Sequence, residues 1–196
     1  MRNFLRTWVI AFGALLAATI SVAQADPITF YVGGDIAGVT TKVEDKTGVP
    51  PIITGDANAT TLRLKGGAHF LEWLDAEAHI VLPQEATFSS AGTTNKVKTS
   101  IVAVFAKPNI NAGPVNIYAL LGVASTNFDL SGVVSGNQSG SGVAYGVGAQ
   151  YAFTKNISGS IDYTQYPKQN FGLSGFSGGL DIGVDIFAIG ATYTFR

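Results

Sequence analysis

Two histidines, His69 and His79, stand ten positions apart, with Asp75 and Glu77 between them. Imidazole beside carboxylate serves three kinds of chemistry. With a serine in hydrogen-bond reach, the histidine is a general base and the acid orients it. With further nitrogen or oxygen ligands the same groups hold a metal. With cations they join an ion-pair network. Asp35, Arg63, Lys65 and Asp162 supply further charges. No Ser or Asp stands at a spacing that matches a nucleophile motif, and the spacing of His69, Asp75, Glu77 and His79 is generic for a metal. The chain has no cysteine, which removes disulfides and thiolate ligands. The glycine pairs Gly33-Gly34, Gly66-Gly67 and Gly178-Gly179 do not sit between a strand and a helix, as a phosphate loop requires. No cofactor is expected.

The elements that position these groups follow from periodicity. Arg63, Lys65, Gly67 and His69 alternate with Leu62, Leu64, Gly66, Ala68 and Phe70. Asp75, Glu77, His79 and Val81 alternate with Leu74, Ala76, Ala78, Ile80 and Leu82. Period two is the mark of a strand with two unlike faces. It recurs in eight stretches: 28–39, 61–70, 74–83, 99–108, 115–125, 142–153, 157–166 and 184–196. Short links follow the second, fourth and sixth; long ones follow the first, third, fifth and seventh. Sorting of connections by parity is what an up-and-down barrel requires, since all short turns then lie at one end. "NQSGSG" and "GLSGFSGG" read as flexible, solvated loops.

The N-terminus points to export. Arg2 and Arg6, an apolar run from Trp8 to Val22 and Ala23-Gln24-Ala25 have the form of a signal peptide over residues 1–25, leaving one domain over 26–196. Loss of the two arginines takes the formal net charge from −1 to −3, with no basic stripe, so a nucleic-acid partner is not expected. Charged residues make up 13% of the chain, about half the usual share, which suits a protein surrounded by lipid better than one surrounded by water.

Two closed barrels compete. A soluble calycin-like barrel would turn its apolar faces inward around an apolar ligand. A membrane barrel turns them outward to lipid. The non-apolar faces are rich in Gly, Ala and Ser, as a crowded interior needs. Aromatics such as Phe30, Phe70, Tyr151, Phe153, Tyr193 and Phe195 fall near strand ends, where an interfacial girdle lies. The membrane form is therefore expected, with Asp35, Arg63, Lys65, His69, Asp75, Glu77, His79 and Asp162 facing the lumen. Eight strands enclose a space just wide enough for side chains, so a salt-bridged plug is expected rather than an ion path. In the fourth and fifth strands "IVAVFA" is apolar on both faces, and the sides taken by Lys107 and Tyr118 stay open.

At this point the residues resemble a known family. "TFYVGGDIAG", "GGAHFLEWLDAEAHI" and "GVGAQYAFTKNISGSIDYTQY" are similar to successive hairpins of the small eight-stranded outer-membrane barrels, the OmpA/OmpX-like group. Gly190, Tyr193 and Phe195 match its C-terminal assembly signal, read as Gly-x-x-aromatic-x-aromatic. The resemblance implies a monomer in the outer membrane of a Gram-negative cell, in contact with outer-membrane lipids and lipopolysaccharide. It also implies recognition by the barrel-assembly machinery and possible surface ligands at the loops. Some small outer-membrane barrels modify lipid A with a histidine, which leaves an enzyme as a second alternative. Both histidines, however, fall on the inferred lumen face, away from such a substrate.

Overall fold

A computed structural model describes residues 28–45, 55–90, 93–131, 136–172 and 179–196. The signal-peptide expectation for residues 1–25 lies outside them. Eight strands run in chain order: β1 (Thr29–Asp45), β2 (Gly55–Leu71), β3 (Leu74–Ser90), β4 (Thr93–Ala112), β5 (Val115–Ser131), β6 (Gly136–Ala152), β7 (Ile157–Gly172) and β8 (Gly179–Thr194). Each pairs antiparallel with its neighbours, and β8 returns to β1 to close the barrel. Turns at 72–73, 113–114 and 153–156 mark the periplasmic end.

The strands are longer than their apolar patterns. A 17-residue strand rises about 55 Å along its own axis, against an apolar membrane band of about 25 Å. Residues expected in long loops therefore continue the hairpins. Asn137–Gly142, read from sequence as a solvated loop, lies in β6, while part of "GLSGFSGG" falls outside the described residues. The physical reason is that a hairpin standing in water can be polar on its outer face, so the alternation that marks a strand in lipid fades while the ladder persists. Phe153, placed at a strand end from sequence, sits in the turn beyond β6.

The faces are sorted as lipid demands. Leu62, Ile80, Val102, Leu121, Val147 and Ile189 are exposed on the outer wall. Ala68 also falls on that side by alternation but is covered by its neighbours. The open sides in β4 and β5 resolve: Ile101, Ala103, Phe105 and Lys107 are buried while Val102 and Ile110 are exposed, and Tyr118 and Leu120 are buried while Ile117 and Leu121 are exposed.

The wall is not uniform from end to end. β2 and β3 pair from Leu71↔Leu74 up to Arg63↔Val81, and β6 and β7 from Ala152↔Ser158 up to Tyr145↔Gln165; above those points neither pair has ladder partners among the described residues. β4–β5 stays paired to Lys96↔Ser131, and β1–β8 to Asp45↔Leu180. The closed barrel thus divides upward into two four-stranded sheets, β3–β6 and β7–β8–β1–β2. Both seams begin near a bulge that holds a proline: Pro83 in the register shift between Val81 and Gln84, and Pro167 in the shift between Tyr166 and Gln169. Proline has no N–H to give to a ladder.

Candidate functional site: the charged lumen

The strand alternation carries seven of the eight sequence-derived lumen residues into the interior as fully buried groups: Asp35, Arg63, Lys65, Asp75, Glu77, His79 and Asp162. His69 faces the same way at the periplasmic mouth, and its side chain is 39% exposed.

Arg63 is the centre. It is 0% exposed. Its guanidinium donates from Nε to Asp35 Oδ2 at 2.8 Å, from Nη1 to Asp162 Oδ1 at 2.8 Å and from Nη2 to Asp162 Oδ2 at 2.5 Å. The fork of donors on a planar guanidinium matches a carboxylate bidentately, which a lysine cannot do. One side chain from β2 thereby ties β1 to β7, the two strands that flank β8. Lys65 donates to Asp35 Oδ1 at 2.7 Å and to Ser160 Oγ at 2.6 Å.

A second knot surrounds Glu77. It accepts from Lys107 Nζ at 2.8 Å and from Tyr31 Oη at 2.7 Å, and His79 Nε2 lies 2.6 Å from its Oε1. Lys107 stands 4.2 Å from the centre of the Tyr118 ring, a cation–π contact. His79 packs on Phe105 at 4.8 Å between ring centres. At the mouth His69 Nδ1 meets Asp75 Oδ1 at 2.7 Å, and the imidazole packs against Tyr31 at 4.8 Å.

Asp35, Glu77 and Asp162 are answered by Arg63, Lys65 and Lys107, and the remaining buried acid, Asp75, by the His69 imidazole. Sequence reasoning did not single out Tyr31, set Ser160 on the polar face of its strand without a partner, and left the sides of Lys107 and Tyr118 open. Tyr31 was legible only as half of an aromatic pair, and Lys107 and Tyr118 sit in strands apolar on both faces. Register alone places them.

Glycines make the mould. A Cβ at Gly67 would strike the Tyr31 ring, one at Gly148 the Tyr118 ring, and one at Gly190 the Asp35 side chain and the Gly34 carbonyl. Of the other assembly-signal residues, Tyr193 and Phe195 lie on the outer wall with ring centres 5.2 Å apart, edge to face.

Above this floor the lumen differs from the expectation of small and polar groups throughout. Val39, Val43, Ile101, Phe128, Val184 and Ile186 form one buried apolar cluster that spans both upper sheets. Period two shows that two faces differ; where both are apolar it gives no sign of which is inside.

Among the described residues neither histidine bonds a serine, and no group of three His, Cys, Asp or Glu is arranged to hold a metal. An eight-stranded antiparallel barrel with an apolar outer wall and an ionic interior defines the transmembrane class, because closure satisfies every backbone group in hydrocarbon. The chain belongs to the family described as "Outer membrane protein beta-barrel domain", whose model matches residues 10–195, and its place is the cell outer membrane. Three solved structures share the fold. OprG from Pseudomonas aeruginosa is 17% identical over 86% of this chain and 96% of its own, with a TM-score of 0.61. Neisserial surface protein A is 18% identical over 87% and 100%, with a TM-score of 0.55. Ail of Yersinia pestis, solved with the heparin analogue sucrose octasulfate, is 19% identical over 85% and 99%, with a TM-score of 0.53. No curated protein matches the chain.

Proposed function

We propose that this protein is a non-conducting, non-enzymatic outer-membrane barrel that holds its extended hairpins at the cell surface, where they contact lipopolysaccharide and surface ligands. The observation that carries this reading is Arg63, fully buried and bonded to both Asp35 on β1 and Asp162 on β7. An ion following the lumen would have to part a bidentate pair inside a low-dielectric wall. Removing one partner of such a pair costs about 3–5 kcal/mol, because the other charge is left buried and alone. The same balance of charge gives His69, Asp75, Glu77 and His79 a structural role: each acid is already committed to a cation, a tyrosine or an imidazole. The barrel then acts as a rigid stalk. Ail, solved with a heparin analogue, is a relative in fold that has been seen with a polyanion.

Planar-bilayer recording tests the closed state. The native barrel is expected to show no steady single-channel steps, and Arg63→Ala to show them. Steady conductance in the native protein would overturn the reading. Unchanged lipid A in cells carrying His69→Ala or His79→Ala is the expected result for a non-enzyme.

A further inference from the structure

The space between the two upper sheets contains polar groups that the apolar cluster does not explain. Gln84 on β3, Thr99 on β4 and Thr126 on β5 all point inward and are at least nine-tenths buried; so is Tyr166 on β7, from the facing sheet. Among the described residues, both amide atoms of Gln84 and the Oγ1 of Thr99 and of Thr126 have no hydrogen-bond partner, whereas the Tyr166 hydroxyl is turned to the Arg63 guanidinium of the floor. Gln84 and Thr99 are register neighbours, and Thr126 pairs with Ile101 two residues further along β4. They therefore form a row across one sheet, opposite the apolar side chains of Val39, Val184 and Ile186 on the other. Buried polar groups in folded proteins are nearly always bonded. A row of donors and acceptors on one wall and hydrocarbon on the other is the lining that an amphiphile requires.

The wall also supplies a way in. At the β2/β3 seam the ladder stops at Arg63↔Val81, and the side-chain bond that crosses just above it is Thr61 Oγ1 to the Leu82 carbonyl at 3.0 Å. Leu62 and Leu82 flank that point on the outer wall at 54% and 36% exposure, so the seam opens at the upper rim of the apolar belt. Gln84 follows Pro83 directly inside it. On the outer face beside this edge, Gly38, Thr40, Asn58, Thr60 and Phe187 line a shallow hollow of about 370 Å³. The opposite seam is filled differently: a Cβ at Gly140 would meet the Gln169 amide and one at Gly142 the Pro167 ring, so those side chains lie over the β6 edge.

We propose that the upper half of the barrel is a dead-end binding chamber for a small uncharged amphiphile, an aliphatic body carrying a hydroxyl or amide. The ligand enters sideways from the outer leaflet between β2 and β3 and bonds to Gln84, Thr99 and Thr126. The salt-bridged lower lumen is its floor, so the ligand is held and not passed to the periplasm. Binding requires the two sheets to part slightly, which the proline bulges and the unladdered seams permit.

The probe is octanol carrying a diazirine, added to the full chain in phospholipid nanodiscs and photolysed. Labelled positions are read by mass spectrometry. Labels are expected on inward residues of both sheets, such as Ile101, Phe128 and Val184, and should be competed by excess plain octanol. Gln84→Leu, which keeps volume and removes the amide, should lower inward labelling at least fivefold. Thr126→Val, which replaces the hydroxyl by a methyl, should lower it two- to threefold. Heat-modifiable migration confirms that each variant is folded. Labels confined to outer-wall residues such as Leu62 and Phe187, or inward labels indifferent to both substitutions in folded protein, would overturn the proposal. Because the readout is occupancy and not current, it stands apart from the test of the closed floor.

Discussion

The lower and upper halves of the lumen solve the same problem with opposite chemistry. Below, six charges and two tyrosines are matched pair by pair around Arg63 and Glu77. Above, valine, isoleucine and phenylalanine line most of the interval between two sheets, beside the row of Gln84, Thr99 and Thr126. The lower half gains uniqueness, since each acid has a defined partner and a one-residue slip would bring every charge onto lipid. The upper half gains cohesion that tolerates sliding, because apolar contacts have no direction. The difference matches the wall around each. Where the ladder is closed the interior is ionic and rigid; where it splits, the interior is soft.

Substitutions that break or sharpen this contrast can be ranked. Arg63→Ala should destabilise by about 3–5 kcal/mol, since Asp35 and Asp162 are left buried without their cation. Thermal loss of heat-modifiable migration would measure it, and conductance should appear with it. Phe128→Ala in the upper half should cost a similar amount, about 3–5 kcal/mol, yet leave conductance at the native level. If both variants conduct, the two halves are not separate. Ala78→Arg, on the lipid face of β3, should cost about 2–4 kcal/mol and lower outer-membrane yield. Tyr31→Phe removes one hydrogen bond to a carboxylate and should cost about 1.5–3 kcal/mol with the fold intact. Lys96→Ala, whose pairing with Glu85 at 2.7 Å is half exposed above the membrane, should change stability by no more than about 1 kcal/mol.

Much of the lower half was legible in the residues themselves. Arg63, Lys65, Glu77 and Asp162 alternate with aliphatic neighbours, and lipid permits only one side for a charge. The upper half was not legible, for two reasons. Val39, Ile101 and Val184 are strand residues with apolar or small neighbours, and a pattern without contrast carries no orientation. The splitting of the wall is a property of pairs: Pro83 and Pro167 mark where a ladder weakens, but which neighbouring strand lets go depends on register, which the linear order of residues does not contain. The hairpin extensions escaped notice because segments such as 55–60 and 136–142, made of small and polar residues, have the composition of loops. They hold strand geometry because β1 and β5 lie alongside.

Gly190 faces Asp35 across the junction of the first and last strands, where any side chain would collide with the carboxylate. Shifting β8 by two positions would bring Ala188 or Thr192 to that spot, and both carry the missing carbon. The seat for Asp35 therefore acts as a gauge on the final join. A cylinder sewn up out of step cannot seat this acid beneath its arginine, so the first and last strands are matched to each other by an electrostatic fit centred on Arg63 of β2.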